Sequence, residues 1–274
     1  MSYGNLWTKT TVTKHIASFY LQKFGHLLKW KDYKEIVMEV GCAEGSVTKD
    51  ILFPYIKNHM QKLVAIDKLN EMINCAKEGN VPKEIDFVVM DIMDKESVKK
   101  KLNQFDHIFS TLIAHWIPDN RSYLSNLYHM LKFGGQIFHT QLTNKQVVRS
   151  SFEKQFQEGK WTKYVPNEPV FADYTNEPVK YVQNLFCEVG FNVQFCQMKE
   201  EISIIENFGD FIRPLLHIYQ HLDRIPNEKR EDFFQYHINN CREICIYKGE
   251  PDVYEMHYQT IICVASKAHK KRFQ

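Results

Sequence analysis

Residues 36–48 read Ile36-Val37-Met38-Glu39-Val40-Gly41-Cys42-Ala43-Glu44-Gly45-Ser46-Val47-Thr48. An apolar run broken once by an acid feeds a glycine-bearing turn, and Ser46 is placed to cap a helix over 47–55. The pattern is strand, tight turn, helix. Gly41 and Gly45 have no side chain, so the turn can bring backbone N–H groups close to a ligand. No Gly-Lys-Ser/Thr follows, which excludes a P-loop, and the Gly-x-Gly-x-x-Gly spacing of a dinucleotide fingerprint is absent. Ala43 stands where a second glycine would ease the approach of a pyrophosphate, so a cofactor without phosphates is favoured. A plain strand-to-helix turn is the competing reading, and the neighbouring segments decide between the two.

Outward from the turn, strands are expected at 63–67, 85–91, 105–111 and 135–141, alternating with helices at 70–78 and 123–131 and a mixed segment at 95–102. This spacing implies right-handed crossovers and a largely parallel sheet covered on both faces. Ligands of such sheets bind beyond the carboxyl ends of the strands, where Glu39, Asp67, Asp91, Ser110 and Gln141 fall. Upstream, Ile16, Phe19, Tyr20, Phe24, Leu27 and Leu28 recur at helical spacing within 11–30, giving an amphipathic helix that packs on the sheet or closes over a site. Downstream, a helix at 146–157 leads into an irregular stretch containing Trp161, Tyr164, Pro166, Pro169 and Phe171, which reads as a lid or binding segment. A helix at 177–189 stops at Gly190, and a strand follows at 191–199. Two helices, 208–221 and 228–247, are inserted before a last strand at 254–266 and are expected to wall a substrate chamber.

The chain has 274 residues, enough for one large domain or a sheet domain with an added lobe. Its 35 Lys and Arg against 33 Asp and Glu give no global field for a nucleic acid or membrane partner. The basic stretch 267–272 is short and reads as a solubilising end. Seven cysteines fall as scattered singles, apart from Cys241 and Cys245 in an expected helix, which argues for reduced thiols. The first 14 residues are too polar for a secretory segment and no run reaches transmembrane length, so a soluble, cytoplasmic protein is expected. No Cys/His/Asp/Glu spacing resembles a metal site, and no nucleophile elbow is present. Four Trp, 14 Tyr and 19 Phe exceed what a core needs and suit a pocket for an apolar substrate.

Asp67 lies 22 residues after Gly45, where a carboxylate could accept both hydroxyls of a ribose. Asp91 and Ile92, at the next strand end, could address an adenine amino group and cover the ring. Each acid alone could equally be a helix cap; together they describe a bound adenosine. Beyond the fourth strand, His115 and Trp116 could present a polar ring and an apolar wall to a substrate oxygen. The competing reading buries Trp116 in the core and turns His115 to solvent.

These motifs, VMEVGCAEGSVTKDIL at 37–52, LVAIDKLNEMINCAK at 63–77, FVVMDI at 87–92, FDHIFSTLIAHWIPD at 105–119 and YQTIICVASK at 258–267, resemble those of class I S-adenosylmethionine-dependent methyltransferases, and specifically insect juvenile hormone acid O-methyltransferases. Leu6-Trp7-Thr8-Lys9 echoes the opening of that family. The resemblance implies an α/β, Rossmann-like fold with a seven-stranded, mostly parallel sheet flanked by helices. It divides one catalytic domain into a helical lid (1–30), a cofactor-binding core (31–143), a lid segment with sheet completion (144–206), a helical insertion (207–250) and a last strand with tail (251–274). S-adenosylmethionine is the implied cofactor: Glu39, Gly41, Cys42, Ala43 and Gly45 at the methionyl end, Asp67 with Lys68 and Met72 at the ribose, Asp91 and Ile92 at the adenine, Ser110 near the sulfonium. His115 and Trp116 take the reactive position, and Trp7, Lys14, Gln141, Trp161, Tyr164 and His217 are expected at the acceptor. The family methylates the carboxyl group of farnesoic or juvenile hormone acid in the cytosol. Two departures bear on substrate. Where the family usually has Gln-Lys-Arg-Asp in the first helix, this chain has Lys14-His15-Ile16-Ala17, and Thr111-Leu112 replaces an aromatic pair.

The expected reaction is methyl transfer to a small apolar acid without metal. The alternatives are a small phenol, with His115 as base, or a non-catalytic carrier of a hydrophobic terpenoid. A nicotinamide enzyme lacks its third glycine, and a nucleic-acid methyltransferase lacks both its Asn/Asp-Pro-Pro-aromatic segment and a basic aromatic groove.

Overall fold

The computed structural model describes residues 11–165, 172–174, 176–217, 219 and 221–268. Trp7, Pro166, Pro169 and Phe171 lie outside them. Strand β1 (Glu35–Val40) is buried almost throughout, because β2 (Met60–Asp67) and β4 (Phe105–Thr111) flank it in parallel register. With β3 (Ile85–Val89), β5 (Leu131–Leu142), β6 (Phe191–Ile205) and β8 (Tyr254–Lys267), the order across the sheet is β3-β2-β1-β4-β5-β8-β6. Only β8 runs antiparallel to its neighbours along this path. The seven expected strands are therefore all present among the described residues, with one addition. Strand β7 (Ile246–Tyr247) pairs with Glu255 and Tyr254, on the flank of β8 that β5 leaves beyond Thr260. The sequence places these two residues in the preceding helix; instead that helix ends at Ile244.

Strand alternation splits the core between two faces. Met38, Ile108 and Ile137 face a cluster with Tyr123, Leu124 and Leu127 of α5 (Asn120–Met130) and Phe186 of α7 (Pro178–Val189). Val37, Phe109 and Phe138 face the other way, against Ile16, Tyr20 and Phe24 of α1 (Thr11–Phe24). The same layer includes Phe152 of α6 (Val147–Glu158), Ile212 of α8 (Phe208–His217) and Phe233 of α9 (Asn227–Ile244). Phe186 alone, fully buried, contributes about 2–3 kcal/mol by leaving water. The expected lid helix and insertion thus lie on one face of the sheet, overhanging the carboxyl ends of β1, β4 and β5. No helix among the described residues is long and apolar enough to cross a membrane.

Two helix starts differ from expectation for a local reason. α5 begins at Asn120, not 123, because Asp119 accepts a hydrogen bond from the Ser122 N–H at 2.9 Å and caps it. Ser46, expected as a cap, instead donates its hydroxyl to the Glu44 carboxylate and is itself the first helical residue, and a π turn at Thr48–Leu52 follows before α2 (Phe53–Ile56).

Candidate active site

The glycine turn is built by backbone. The N–H groups of Gly41 and Cys42 both donate to the Ile66 carbonyl, at 2.8 and 3.0 Å, and the Gly45 N–H donates to the Cys42 carbonyl. Gly41 has φ +74, and a Cβ there would meet Ile113 at 2.9 Å. Gly45 has φ +77, and its Cβ would strike Phe87. Ala43 also takes a left-handed conformation, φ 46, so it keeps the shape of a glycine turn at a cost in strain. Its N–H is held by the Asp67 carboxylate at 3.1 Å, while the other Asp67 oxygen accepts from the Leu69 N–H at 2.9 Å. One side chain therefore fixes the turn and opens α3 (Asn70–Ala76).

Two cavities adjoin at this point, sharing Gly41, Asp67, Leu69, Ile113 and Trp116. One also takes in Lys68, Asp91, Ile92, Met93 and Pro118, just past the ends of β2 and β3. The other runs from Glu39, Cys42, Ala43, Glu44, Ser46 and Met72 to a largely apolar chamber. Its walls come from Ile16 of α1, Leu142 of β5, Val147 of α6, Phe211 and Leu215 of α8, and Met256 and Tyr258 of β8. Both lie at the topological switch point between β1 and β4, where helices leave opposite faces of the sheet.

Glu39 stands at the floor of the second cavity, 3 % exposed, and its Oε2 has no hydrogen-bond partner. Burial pushes its carboxyl up to about 7; the nearby Glu44 adds to the rise and the Thr48 hydroxyl opposes it. Asp67 is raised too, again by burial, against its two backbone donors. His115 is buried in the 3₁₀ turn Ala114–Trp116, with Nδ1 accepting from the Leu142 N–H at 3.4 Å. Nε2 therefore carries the proton. Desolvation, helped by His139, lowers its pKa to about 3, so the ring is neutral at physiological pH. Leu112 beside it has φ 54, an uncommon conformation for a bulky residue, pinned by its N–H on the Thr140 carbonyl at 2.9 Å.

Residues 38–139, β1 through β5, match the family model of a methyltransferase domain. The chain is an S-adenosylmethionine-dependent methyltransferase with the class I fold. It is 26% identical to a juvenile hormone acid O-methyltransferase of Bombyx mori, over 97% of this chain and 98% of that one. A malonyl-[acyl-carrier protein] O-methyltransferase of Ilyobacter polytropus is 28% identical over 81% of each chain. Among solved structures, the YcgJ protein of Bacillus subtilis superposes with a TM-score of 0.58 at 15% identity, covering 93% of this chain and 100% of that one.

The residues of the methyltransferase fit its cofactor. The orphaned Glu39 Oε2 lacks the counter-charge that a methionyl ammonium carries, the turn at Gly41–Gly45 leaves no room for Cβ atoms at its two glycines, and Asp67 keeps lone pairs for ribose hydroxyls. Of the residues expected around it, Glu39, Gly41, Cys42, Ala43, Asp67, Lys68, Met72, Asp91 and Ile92 line the two cavities. Gly45 lies within the turn behind them. Asp91 also closes a local turn by accepting from the Met93 N–H at 2.8 Å.

The acceptor residues divide differently. His115 and Trp116 line the chamber, Trp116 reaching both cavities; the buried ring is His115, and Trp116 is only half-buried. Lys14 is ion-paired with Asp50 at 2.7 Å, away from the lining. Gln141 falls on the wrong pleat of β5. It shares a face with Ile137 and His139, and the His139 ring packs on Phe186 of α7. Ser110 sits on that same face, fully buried, in a one-way chain of hydrogen bonds. Tyr123 O–H donates to Ser110, Ser110 O–H to His139 Nδ1, and His139 Nε2–H to Gln141 Oε1. Trp161 packs edge-on against Phe233 with Tyr164 beside it, and His217 lies against Phe234; none of the three lines either cavity. No group of side chains among the described residues is arranged to hold a metal ion. The sequence does not single out Gln146, Phe211, Leu215, Met256 or Tyr258 as chamber residues one by one, although Phe211 and Leu215 lie on the helix expected at 208–221 to wall the chamber.

Proposed function

We propose that the methyltransferase esterifies the carboxylate of a small apolar acid, of the class to which farnesoic acid and juvenile hormone acid belong. The state of His115 carries this reading. It is the one imidazole lining the chamber among the described residues, it is neutral, and its Nε2 already holds a proton. Such a ring donates a hydrogen bond to an acceptor oxygen but is a poor base. A carboxylate is ionised at pH 7 and needs none, whereas a phenol near pKa 10 does. The names of both similar proteins, one an acid O-methyltransferase and one acting on a malonyl group, also point to carboxyl acceptors.

When bound, S-adenosylmethionine supplies a methyl group on a cationic sulfur, open to direct displacement by an acceptor oxygen. Glu39 and Asp67 would hold its charged and hydroxylated ends. Leu112, Leu142, Val147, Phe211 and Leu215 exclude water around the acceptor, which strips the carboxylate of solvation and fixes its approach. His115 steadies one acceptor oxygen.

The test is a pH–rate profile at saturating cofactor. With farnesoic acid, kcat is expected to be flat between about pH 6 and 9, because no protein base titrates and the acid is ionised throughout. His115→Gln, which keeps a donor, is expected to lose less than tenfold in kcat. A rate that climbs with the ionisation of a phenolic acceptor and collapses in His115→Gln would replace this reading with the phenol.

A further inference from the structure

Gln146 occupies the N-cap of α6 with extended backbone (φ −145, ψ 137), yet its side chain makes no capping hydrogen bond. The fold uses its main chain instead: its N–H donates to the Asn144 carbonyl and its own carbonyl accepts from the Ser150 N–H. The residue is only 7 % exposed, its side-chain Nε2 has no partner, and it lines the chamber beside Leu142, Val147 and His115. Burying an amide N–H without a partner is unfavourable unless something else meets it. The Nε2 atoms of Gln141 and Gln155 are also unpartnered, but neither residue lines either of these two cavities. The chamber's described lining contains no Lys or Arg, and the nearest candidate from the first helix, Lys14, is held by Asp50. An oxyanion entering there meets neutral groups only, the Gln146 amide and the His115 Nε2–H beside the hydroxyl-bearing Thr13, Ser46, Thr111 and Tyr258.

We propose that Gln146 is a specificity-determining residue, its amide forming with His115 a neutral two-donor clamp for a single acceptor carboxylate on an apolar body. The proposal rests on the carboxyl-methylating function above. Neutral donors suffice for one carboxylate next to a cationic cofactor, but a second anionic group on the acceptor would be desolvated beside Leu112, Phe211 and Leu215 with no cationic side chain in the described lining to offset its charge. The site therefore takes monocarboxylates and rejects diacids of the same length. No basic residue compensates for losing the amide.

The test uses the full chain with farnesoic, dodecanoic and dodecanedioic acids. Gln146→Met, of similar volume, is expected to raise KM for the monocarboxylates at least tenfold, with calorimetric affinity for S-adenosylhomocysteine within twofold of wild type. Gln146→Glu is expected to lose at least 100-fold in kcat/KM at pH 8, because it sets a like charge against the acceptor. Wild type is expected to favour dodecanoic over dodecanedioic acid at least tenfold, a comparison that needs no variant. An unchanged KM in Gln146→Met, or equal turnover of mono- and diacid, overturns the clamp while leaving carboxyl methylation intact. Failure of wild type to methylate any carboxylic acid overturns both.

Discussion

Glu39→Gln is expected to bind S-adenosylmethionine at least tenfold more weakly than wild type at pH 8, and to lose the pH dependence of that binding. A charge-assisted hydrogen bond contributes about 1.5–3 kcal/mol, and each 1.4 kcal/mol is tenfold in affinity. In the free protein the Glu39 carboxyl is pushed up to about 7 by burial, so below that pH it must release a proton before it can pair with an ammonium. Wild-type affinity should therefore fall by up to tenfold per unit as pH drops below 7, and the Gln variant should not follow. Stability moves the opposite way. A carboxyl whose folded pKa is raised contributes stability fully below its unfolded value, near 4.5, and that contribution is lost as pH rises through 7. Relative to Glu39→Gln, the free wild-type chain should thus lose on the order of 2–3 kcal/mol between pH 4.5 and 8. Denaturant titrations of both proteins at the two pH values measure it. Parallel stability curves would show that Glu39 is not the strained, cofactor-directed acid described above.

Asp67→Ala is expected to weaken cofactor binding about 100-fold and to lower the thermal midpoint by several degrees. Two effects combine. The carboxylate ties the Ala43 N–H and the Leu69 N–H together, and without it the left-handed Ala43 loses the bond that holds its conformation. The same oxygens are the acceptors facing both cavities beside the turn. Asp67→Asn separates the roles, because its amide oxygen can still accept one backbone bond while the charge is gone. If Asp67 served only the turn, Asp67→Asn would recover stability and affinity together. If it also meets the cofactor, stability recovers and affinity does not. Calorimetric affinity unchanged in Asp67→Ala would remove the residue from the site.

What could be read from the chain follows from how far each signal reaches. β4 runs over 105–111 as expected: Phe105, Ile108 and Phe109 mark a short stretch with visible ends, although the buried Asp106, His107 and Ser110 interrupt its apolar residues. The turn at 41–45 was equally legible, since its glycines and the acid at 67 are fixed by local backbone geometry. β6 was expected to end at 199 but continues to Ile205, through the exposed Glu200, Ile202 and Ile204. Its partner is the first half of β8, some fifty residues later, and no local pattern announces that pairing. The acceptor chamber fails for the same reason. α1, α6, α8 and β8 each give it one or two side chains, and only tertiary packing brings them together. Gln141 and Gln146 illustrate the limit. Both follow the apolar part of β5, and strand alternation sends the first to the α7 face, while the start of α6 turns the second into the chamber.

The most direct measurement is methyl transfer itself. The full chain would be incubated with S-adenosylmethionine labelled in its methyl group and, separately, with farnesoic acid, juvenile hormone acid, benzoates and vinylphenols. Label is predicted in base-labile methyl esters of the apolar acids. Label confined to base-stable phenolic ethers, or no transfer to any acid, would contradict carboxyl methylation.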